Sequence, residues 1–344
     1  MALIDAEGFG WSSNASDYMT YGYWKGSQFY NHHTGGPDGA SYVSTFDAGV
    51  APNRQYPTAL TAKAFMGIRM NLSGTAHGSQ SGTIVSWNDE NNNNQISVNA
   101  NYATGVWQIL VNGTVVAQSG SGCVPPGWFY LEIGGTIASG TGGDLTLRVN
   151  GATLLSVSGI NTQGAGTNTI SYVYFGEGGY SNFELYFTDY YLCDGAGTFD
   201  NSFLGDVRVQ DLLPTGPGSN TQFTPVGQAA NWQNASTIPP APSTDYNEST
   251  TVGAVDTFAI SGLDPTFSTI YGLLVKGIFY KDPSGSRSMA TVCQSGTVDS
   301  VGASVAMGSS AQQIVSVFTD DPNTGTAWTA GGVQAMQPGY KITS

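Results

Sequence analysis

Three acidic residues, Glu184, Asp189 and Asp194, lie within one stretch of alternating hydrophobic residues. Hydrolysis of a glycosidic bond uses two carboxyl groups, roughly 5 to 9.5 Å apart, that flank the bond. Glu184 and Asp189 are separated by an odd number of positions, so a regular strand would place them on opposite faces. The chain has 3 histidines, which leaves few bases to activate a serine or cysteine nucleophile. The sequence therefore predicts that the protein is not an enzyme.

Two groups of aspartates have the composition of a calcium site. Calcium accepts carboxylate and carbonyl oxygens from loops in a flexible coordination shell. The candidate ligands are Asp189 with Asp194, and Asp320 with Asp321 near Asn323. The same residue types also form Asx turns, and both interpretations remain open. No cofactor other than calcium is predicted.

Aromatic residues crowd the N-terminal region, where charged residues are few. Exposed rings can stack on sugars, whereas packing in a core or a subunit interface is the alternative explanation. The candidate ligand-binding residues of this region are Trp11, Tyr21, Tyr23 and Trp24.

The remainder of the chain predicts an all-β protein. Charged residues make up 10% of it and 47 of its 344 residues are glycine, and short β-branched or aromatic runs alternate with Gly and Asn turns. The pairs Asn112-Gly113 and Asn150-Gly151 each predict a β-hairpin. Helical periodicity is confined to short turns at 309–317 and 329–336.

A glycine-rich break at residues 194–198 predicts a boundary between two domains. Residues 1–197 are expected to form a β-sandwich, because their short strands follow one another at the spacing typical of that fold. Residues 198–344 are expected to form a second, smaller β-sandwich-like domain, with its first strand over Phe203–Val209.

The net charge argues against polyanionic partners. Ten basic and 24 acidic residues give a formal charge of −14 and a pI near 4.2, so nucleic acids and anionic membranes would repel the chain. No apolar run is long enough to span a bilayer, and the N-terminal residues lack the pattern of a secretion signal. Synthesis and folding in a cytoplasm are therefore expected.

The run from Tyr186 to Asp194 resembles the closing strand of a laminin-G-like or concanavalin A-like jelly roll. This resemblance implies that the β-sandwich of residues 1–197 is a concanavalin A-like jelly roll. Taken with the segments that follow it, this run is similar to a group of tailed-bacteriophage virion structural proteins, in which a lectin-like jelly roll leads into a second β-domain. Those segments are Phe203–Val209, Phe223–Pro225, Trp232, Asp245–Tyr246, Val255–Phe258, Asp321–Thr329 and Ala335–Gly339.

That resemblance implies a non-enzymatic component of the virion, made in the host bacterial cytoplasm. Its partners would be other virion proteins and further copies of itself. The alternative is a carbohydrate-binding module that attaches the particle to a host surface glycan. A third hypothesis is an enzyme that degrades capsule or peptidoglycan.

Overall fold

The computed structural model describes residues 3–20, 24–25, 31–46, 51–60, 62–72, 81–164, 166–176, 184–196 and 199–344. Within these residues the chain forms two compact units. The first unit comprises Met1–Gly10 and Asn14–Val209, and the second comprises Trp11–Ser13 and Gln210–Ser344. The predicted boundary after residue 197 stays a prediction.

The described residues of the first unit form mainly strands, with one short helix, α1, and a 3-10 turn at Pro37–Gly39. Its elements are β1 (Leu3–Glu7), α1 (Ala15–Thr20), β2 (Trp24–Lys25), β3 (Asn31–His33), β4 (Tyr42–Phe46), β5 (Asn53–Leu60), β6 (Lys63–Asn71), β7 (Ser81–Asn88), β8 (Asn94–Asn101), β9 (Val106–Val111), β10 (Thr114–Gln118), β11 (Trp128–Thr136), β12 (Gly143–Val149), β13 (Ala152–Ile160), β14 (Ile170–Phe175) and β15 (Glu184–Cys193).

Two antiparallel sheets pack face to face in this unit. The first sheet has the order β13-β12-β11-β6-β15-β4-β3, with β1 also paired to β15, and the second has the order β10-β9-β8-β7-β14-β5-β2. The protein is therefore all-β with a jelly-roll type of sandwich, as predicted. Both predicted hairpins are confirmed, since β9-β10 and β12-β13 are joined by Asn-Gly pairs whose φ angles are all positive.

The core between the two sheets combines aromatic rings with one buried ion pair. Arg54 is fully buried, and its guanidinium makes a two-pronged contact with Asp5. The Tyr56 hydroxyl donates to Asp5 and lies 2.7 Å from the hydroxyl of Tyr190. The Trp24 ring lies against the same guanidinium, 5.2 Å from its carbon. These contacts link β1 and β15 of the first sheet to β2 and β5 of the second.

The second unit is also composed mainly of strands. Its elements are β16 (Pro214–Thr221), β17 (Thr224–Val226), α2 (Asn231–Ala235), β18 (Tyr246–Glu248), β19 (Val255–Ile260), β20 (Leu273–Phe279), β21 (Ser288–Ser295), β22 (Val298–Val301), β23 (Val305–Ala306), β24 (Gln312–Phe318), β25 (Asp320–Asp321), β26 (Thr326–Ala327), α3 (Ala330–Ala335) and β27 (Gln337–Ile342).

A sheet of order β16-β19-β27-β21-β22, with β23 also paired to β21, forms the larger layer of this unit. The two-stranded sheet β20-β24 packs on it, because Val275 and Phe318 share an apolar cluster with Cys293. The helical turn predicted at 329–336 is confirmed by α3. The one predicted at 309–317 is wrong, because residues 312–318 form β24, which pairs along its whole length with β20.

Among the described residues, no helix is long and apolar enough to cross a membrane.

Candidate functional site

The outer face of the first sheet, which points away from the second sheet, carries a row of polar and aromatic side chains. Strand pairing aligns four residues in neighbouring strands. Adjacent residues of a strand point to opposite sides, and the sequence neighbours Val43, Phe187, Met70 and Phe129 are buried in the core. The aligned residues on the outer side are Ser44, Tyr186, Asn71 and Trp128.

Four half-buried rings on this face form a continuous cluster, here called the aromatic platform: His33, Tyr42, Trp128 and Tyr186. The Tyr42 ring meets Trp128 and Tyr186 edge to face, with centroids 5.2 and 5.6 Å away. His33 stacks on Tyr42 at 4.7 Å, and its Nε2 lies 3.3 Å from Oγ of Ser44. The platform thus offers apolar ring surface together with polar ring edges.

An ionic network lies beside the platform, two residues farther along the strands of the first sheet. Arg69 precedes Asn71 by two residues on the same side of β6 and lies opposite Tyr130. Its guanidinium contacts Asp38 at 3.0 Å, Asp206 at 2.5 Å and Asp189 at 3.5 Å. The side chain of Arg69 is 7% exposed, whereas those of Asp38 and Asp206 are 63% and 54% exposed. Asp38 and Asp206 are therefore the solvent-facing members of this network, whereas Asp189 is buried.

Farther along the same face, a tyrosine and a glutamate are buried. The Tyr191 hydroxyl donates to Oε1 of Glu132 at 2.7 Å and accepts the backbone N–H of Leu204 at 3.0 Å. The N–H of Gly205 donates to the same Oε1 at 2.8 Å, and Nη1 of Arg148 lies 3.3 Å from Oε2. Burial, and next the charge of Glu132, raise the pKa of Tyr191 far above its usual range. Tyr191 is therefore a neutral hydrogen-bonding group here, not a base.

Residues Phe203–Val209, here called the strap, cover this buried region. Phe203 packs edge to face on Phe65, with centroids 5.0 Å apart, and the guanidinium of Arg148 lies 4.9 Å from the Phe203 ring centroid. The prediction of a strand over these residues is wrong. The alternation of its apolar residues suggested a strand. The N–H groups of Leu204, Gly205 and Val209 instead donate hydrogen bonds to side chains of the first sheet.

Asp189 lies in a bulge of β15, between Thr188 and Tyr191, where the pairing with β6 shifts register. Its φ is +50°, a left-handed conformation that Asp tolerates better than most residues. Oδ1 accepts the N–H of Val209 at 2.9 Å, and Oδ2 accepts no hydrogen bond from the described residues. Burial raises the pKa of Asp189 to about 6, against the opposing effects of the Val209 N–H and Arg69. The bulge also breaks the regular alternation expected along this strand, since Tyr190 points into the core.

Of the four predicted ligand-binding aromatics, the structure describes Trp11 and Trp24, and neither side chain is fully exposed. Trp24 is fully buried among the rings of Phe9, Phe175, Phe187 and Tyr190. Trp11 is half-buried and belongs to the second unit. Tyr21 and Tyr23 lie outside the described residues. The role of these four residues stays a prediction, and the platform lies elsewhere, on β3, β4, β11 and β15.

The predicted calcium ligands occupy separate environments. Asp194 is half-buried and its Oδ1 accepts the N–H of Ala196, whereas Asp189 is held by Val209. Asp320 is exposed, and the neighbouring Asp321 is buried and caps Asn323 through its Oδ1. Within the described residues, no three His, Cys, Asp or Glu side chains form a group that could hold a metal ion. Calcium at either pair stays a prediction.

Comparison with known proteins gives distant structural neighbours. No protein family and no curated protein sequence matches the chain. Alginate lyase Aly36B is 14% identical, with a TM-score of 0.35 over 53% of this chain and 95% of its own. An endo-β-1,4-glucuronan lyase from the fungus Trichoderma reesei is 10% identical, with a TM-score of 0.37 over 56% of this chain and 95% of its own. A sialidase is 10% identical, with a TM-score of 0.37 over 56% of this chain and 18% of its own.

These neighbours correct the predicted function. A non-enzymatic component of a tailed-phage virion was expected, and the prediction is wrong because the similar structures are two polysaccharide lyases and a sialidase. The prediction that the chain is not an enzyme is wrong on the same finding. The family resemblance, the virion location and the virion partners stay predictions. At this low similarity no substrate and no catalytic residue is transferred, so function is argued from the outer face of the first sheet.

Proposed function

We propose that the first unit is a carbohydrate-active β-sandwich that binds a glycan chain on the outer face of its first sheet. The observation that carries this proposal is the aromatic platform, a cluster of half-buried rings on an otherwise polar sheet face. Fully buried rings would indicate only core packing, and isolated exposed rings would need no explanation. Half-buried rings that pack against one another present a fixed apolar surface to solvent.

The chemistry of the platform matches that of a sugar ring. A pyranose has apolar C–H faces and a rim of hydroxyl groups, so it needs both ring surface and hydrogen-bond partners. Tyr42 and Trp128 supply aromatic surface at low conformational-entropy cost, because their contacts with each other already fix them. Asn71 lies between Tyr186 and Trp128 in the same row and supplies amide donors and acceptors.

Cleavage of the bound glycan at the same face is the second candidate function. The observation that favours it is His33, which stacks on Tyr42 and lies within reach of Ser44. Histidine is the side chain that most often transfers protons in catalysis near neutral pH. Tyr42 is a half-buried phenol next to it, so the pair places two proton-transfer groups on the platform.

Binding is tested with a matched pair of variants of the full chain. Tyr42→Ala removes the central ring of the platform. Tyr172→Ala removes a half-buried tyrosine from the outer side of β14, in the second sheet, where it stacks on Tyr174 and bonds to Gln55. On a panel of oligosaccharides, Tyr42→Ala is expected to weaken binding about tenfold or more, and Tyr172→Ala to leave it unchanged. Equal losses in both variants, or no glycan bound by the parent chain, would refute the proposal.

Cleavage is tested by incubating each bound glycan with the parent chain and with His33→Gln. Release of new reducing ends, and the ultraviolet absorbance of an unsaturated product, distinguish hydrolysis from elimination. Loss of product with retained binding in His33→Gln supports the second candidate. Unchanged product formation in that variant, or no product from any bound glycan, rejects it.

A further inference from the structure

We propose that the glycan taken by the aromatic platform is uncharged, and that chains carrying uronate or sialate carboxylates are rejected. This inference rests on the proposed function, because it names the substrate class of the same face. Its basis is the location of every lysine and arginine of the first unit and the exposure of the carboxylates beside the platform.

The arginines of the outer face already form ion pairs with carboxylates of the chain. Arg69 contacts three aspartates and is 7% exposed. Arg208 is 33% exposed and contacts Asp38 at 2.5 Å and Asp206 at 2.8 Å. Arg148 is 24% exposed and pairs with Glu132. A sugar carboxylate would have to displace one of these ion pairs and leave an aspartate or glutamate uncompensated.

The other basic residues of the first unit lie away from the platform. Of the ten lysines and arginines in the chain, six belong to this unit, and all six are described. Arg54 is buried in the core, and Lys25 belongs to β2 of the second sheet. Lys63 is on β6 but eight residues from Asn71, about 26 Å away at the usual rise of a strand. No lysine or arginine of the first unit is therefore in place to bind an anionic sugar.

The exposed charge beside the platform is negative and has unused acceptor capacity. Both arginine contacts of Asp38 go to its Oδ2, and both of those of Asp206 go to its Oδ1. In the described part of the chain, the second oxygen of each carboxylate accepts no hydrogen bond and forms no ion pair. Carboxylates accept hydrogen bonds from hydroxyl groups strongly, whereas they repel another carboxylate. Asp38 and Asp206 thus suit the hydroxyl rim of a neutral sugar.

The experiment uses pairs of oligosaccharides that share linkage and differ only in oxidation at C6. Cellotetraose with the β-1,4-glucuronan tetrasaccharide is one pair, and β-1,4-mannan with β-1,4-mannuronan oligosaccharides is another. Calorimetric titration of the full chain is done at pH 8, above the range in which imidazoles usually take up a proton. The neutral member of the bound pair is expected to bind about tenfold or more tightly than its uronate counterpart. The Asp38→Asn/Asp206→Asn double variant is expected to reduce that ratio.

The outcomes separate this inference from the proposed function. Tighter binding of the uronate member, lost in Tyr42→Ala, would overturn the neutral-substrate inference and leave the proposed function standing. A preference for neutral glycans that is the same in the double variant would overturn the role of the two aspartates. Absence of binding to every oligosaccharide of the panel, these pairs included, would overturn the proposed function itself.

Discussion

Replacement of Asp189 by asparagine should stabilise the protein at neutral and alkaline pH. The Asp189 carboxyl is buried beneath the strap. Its Oδ1 accepts the N–H of Val209, and its Oδ2 lies 3.5 Å from Nε of Arg69. Asparagine retains the Oδ1 acceptor for the Val209 N–H and removes the charge. Arg69 keeps its contacts with Asp38 and Asp206, so the substitution leaves no unpaired cation.

The size and sign of the effect follow from the pKa of Asp189, which burial raises from 3.8 to about 6. Between about pH 4 and pH 6 the folded protein holds a proton that the unfolded chain has released, so the free energy of unfolding falls as pH rises through this range. The difference between the two pKa values corresponds to about 3 kcal/mol. Asp189→Asn should therefore gain about 1 to 3 kcal/mol at pH 8, and nothing below about pH 4.

Urea denaturation of the full chain between pH 4 and pH 8 measures this difference, with fluorescence of the first unit's four tryptophans as the readout. Asp194→Asn is the matched control, because Asp194 follows in the same segment but is half-buried. A gain for Asp189→Asn that is equal at pH 4 and pH 8 would show that the buried charge of Asp189 is not what destabilises the parent chain. Destabilisation at pH 8 would show that Asp189 is favourably paired as an anion.

Three further substitutions test the packing of the outer face and its turns. Gly67→Ala should destabilise the protein by about 2 kcal/mol or more in urea denaturation, since a Cβ there would meet the Tyr191 ring at 2.2 Å and the Tyr130 ring at 2.6 Å. A neutral effect would contradict this packing. Glu132→Ala should lower the free energy of unfolding by about 1 to 3 kcal/mol, because it leaves the Tyr191 and Gly205 donors unpaired. It should also speed hydrogen exchange at Gly205, and unchanged exchange would contradict the contact between Glu132 and the strap. Gly151→Ala should lower the free energy of unfolding, measured by urea denaturation, by about 1 kcal/mol because the φ of Gly151 is +78°. Gly120→Ala is its control, because nothing lies within 4 Å of a new Cβ there, and equal losses would contradict the turn assignment.

Local sequence signals predicted the parts of the fold that local chemistry determines. The Asn-Gly pairs at 112–113 and 150–151 determine turn type through backbone conformation alone, so both hairpins could be read from the sequence. The strap could not, because its alternating apolar residues also fit a strand. What prevents a strand there is the supply of side-chain acceptors from Tyr191, Glu132 and Asp189. These acceptors lie 13, 73 and 20 positions away in sequence from the strap residues whose N–H groups they accept.

The platform was missed for a related reason. His33, Tyr42, Trp128 and Tyr186 come from four strands, and only the pairing register brings them together. The alternation along β15 did place Tyr186 on the face opposite Phe187, which was the one available signal. The N-terminal density of aromatics pointed instead to Trp24, which the buried Arg54 and neighbouring rings hold in the core.

A crystal structure of the full chain with the tightest-binding oligosaccharide of the panel shows directly which face holds the glycan. We expect a sugar ring packed against Tyr42 and Trp128, with hydroxyl groups directed at Asp38 or Asp206. A glycan bound to the second sheet or to the second unit, with the platform bare, would contradict it.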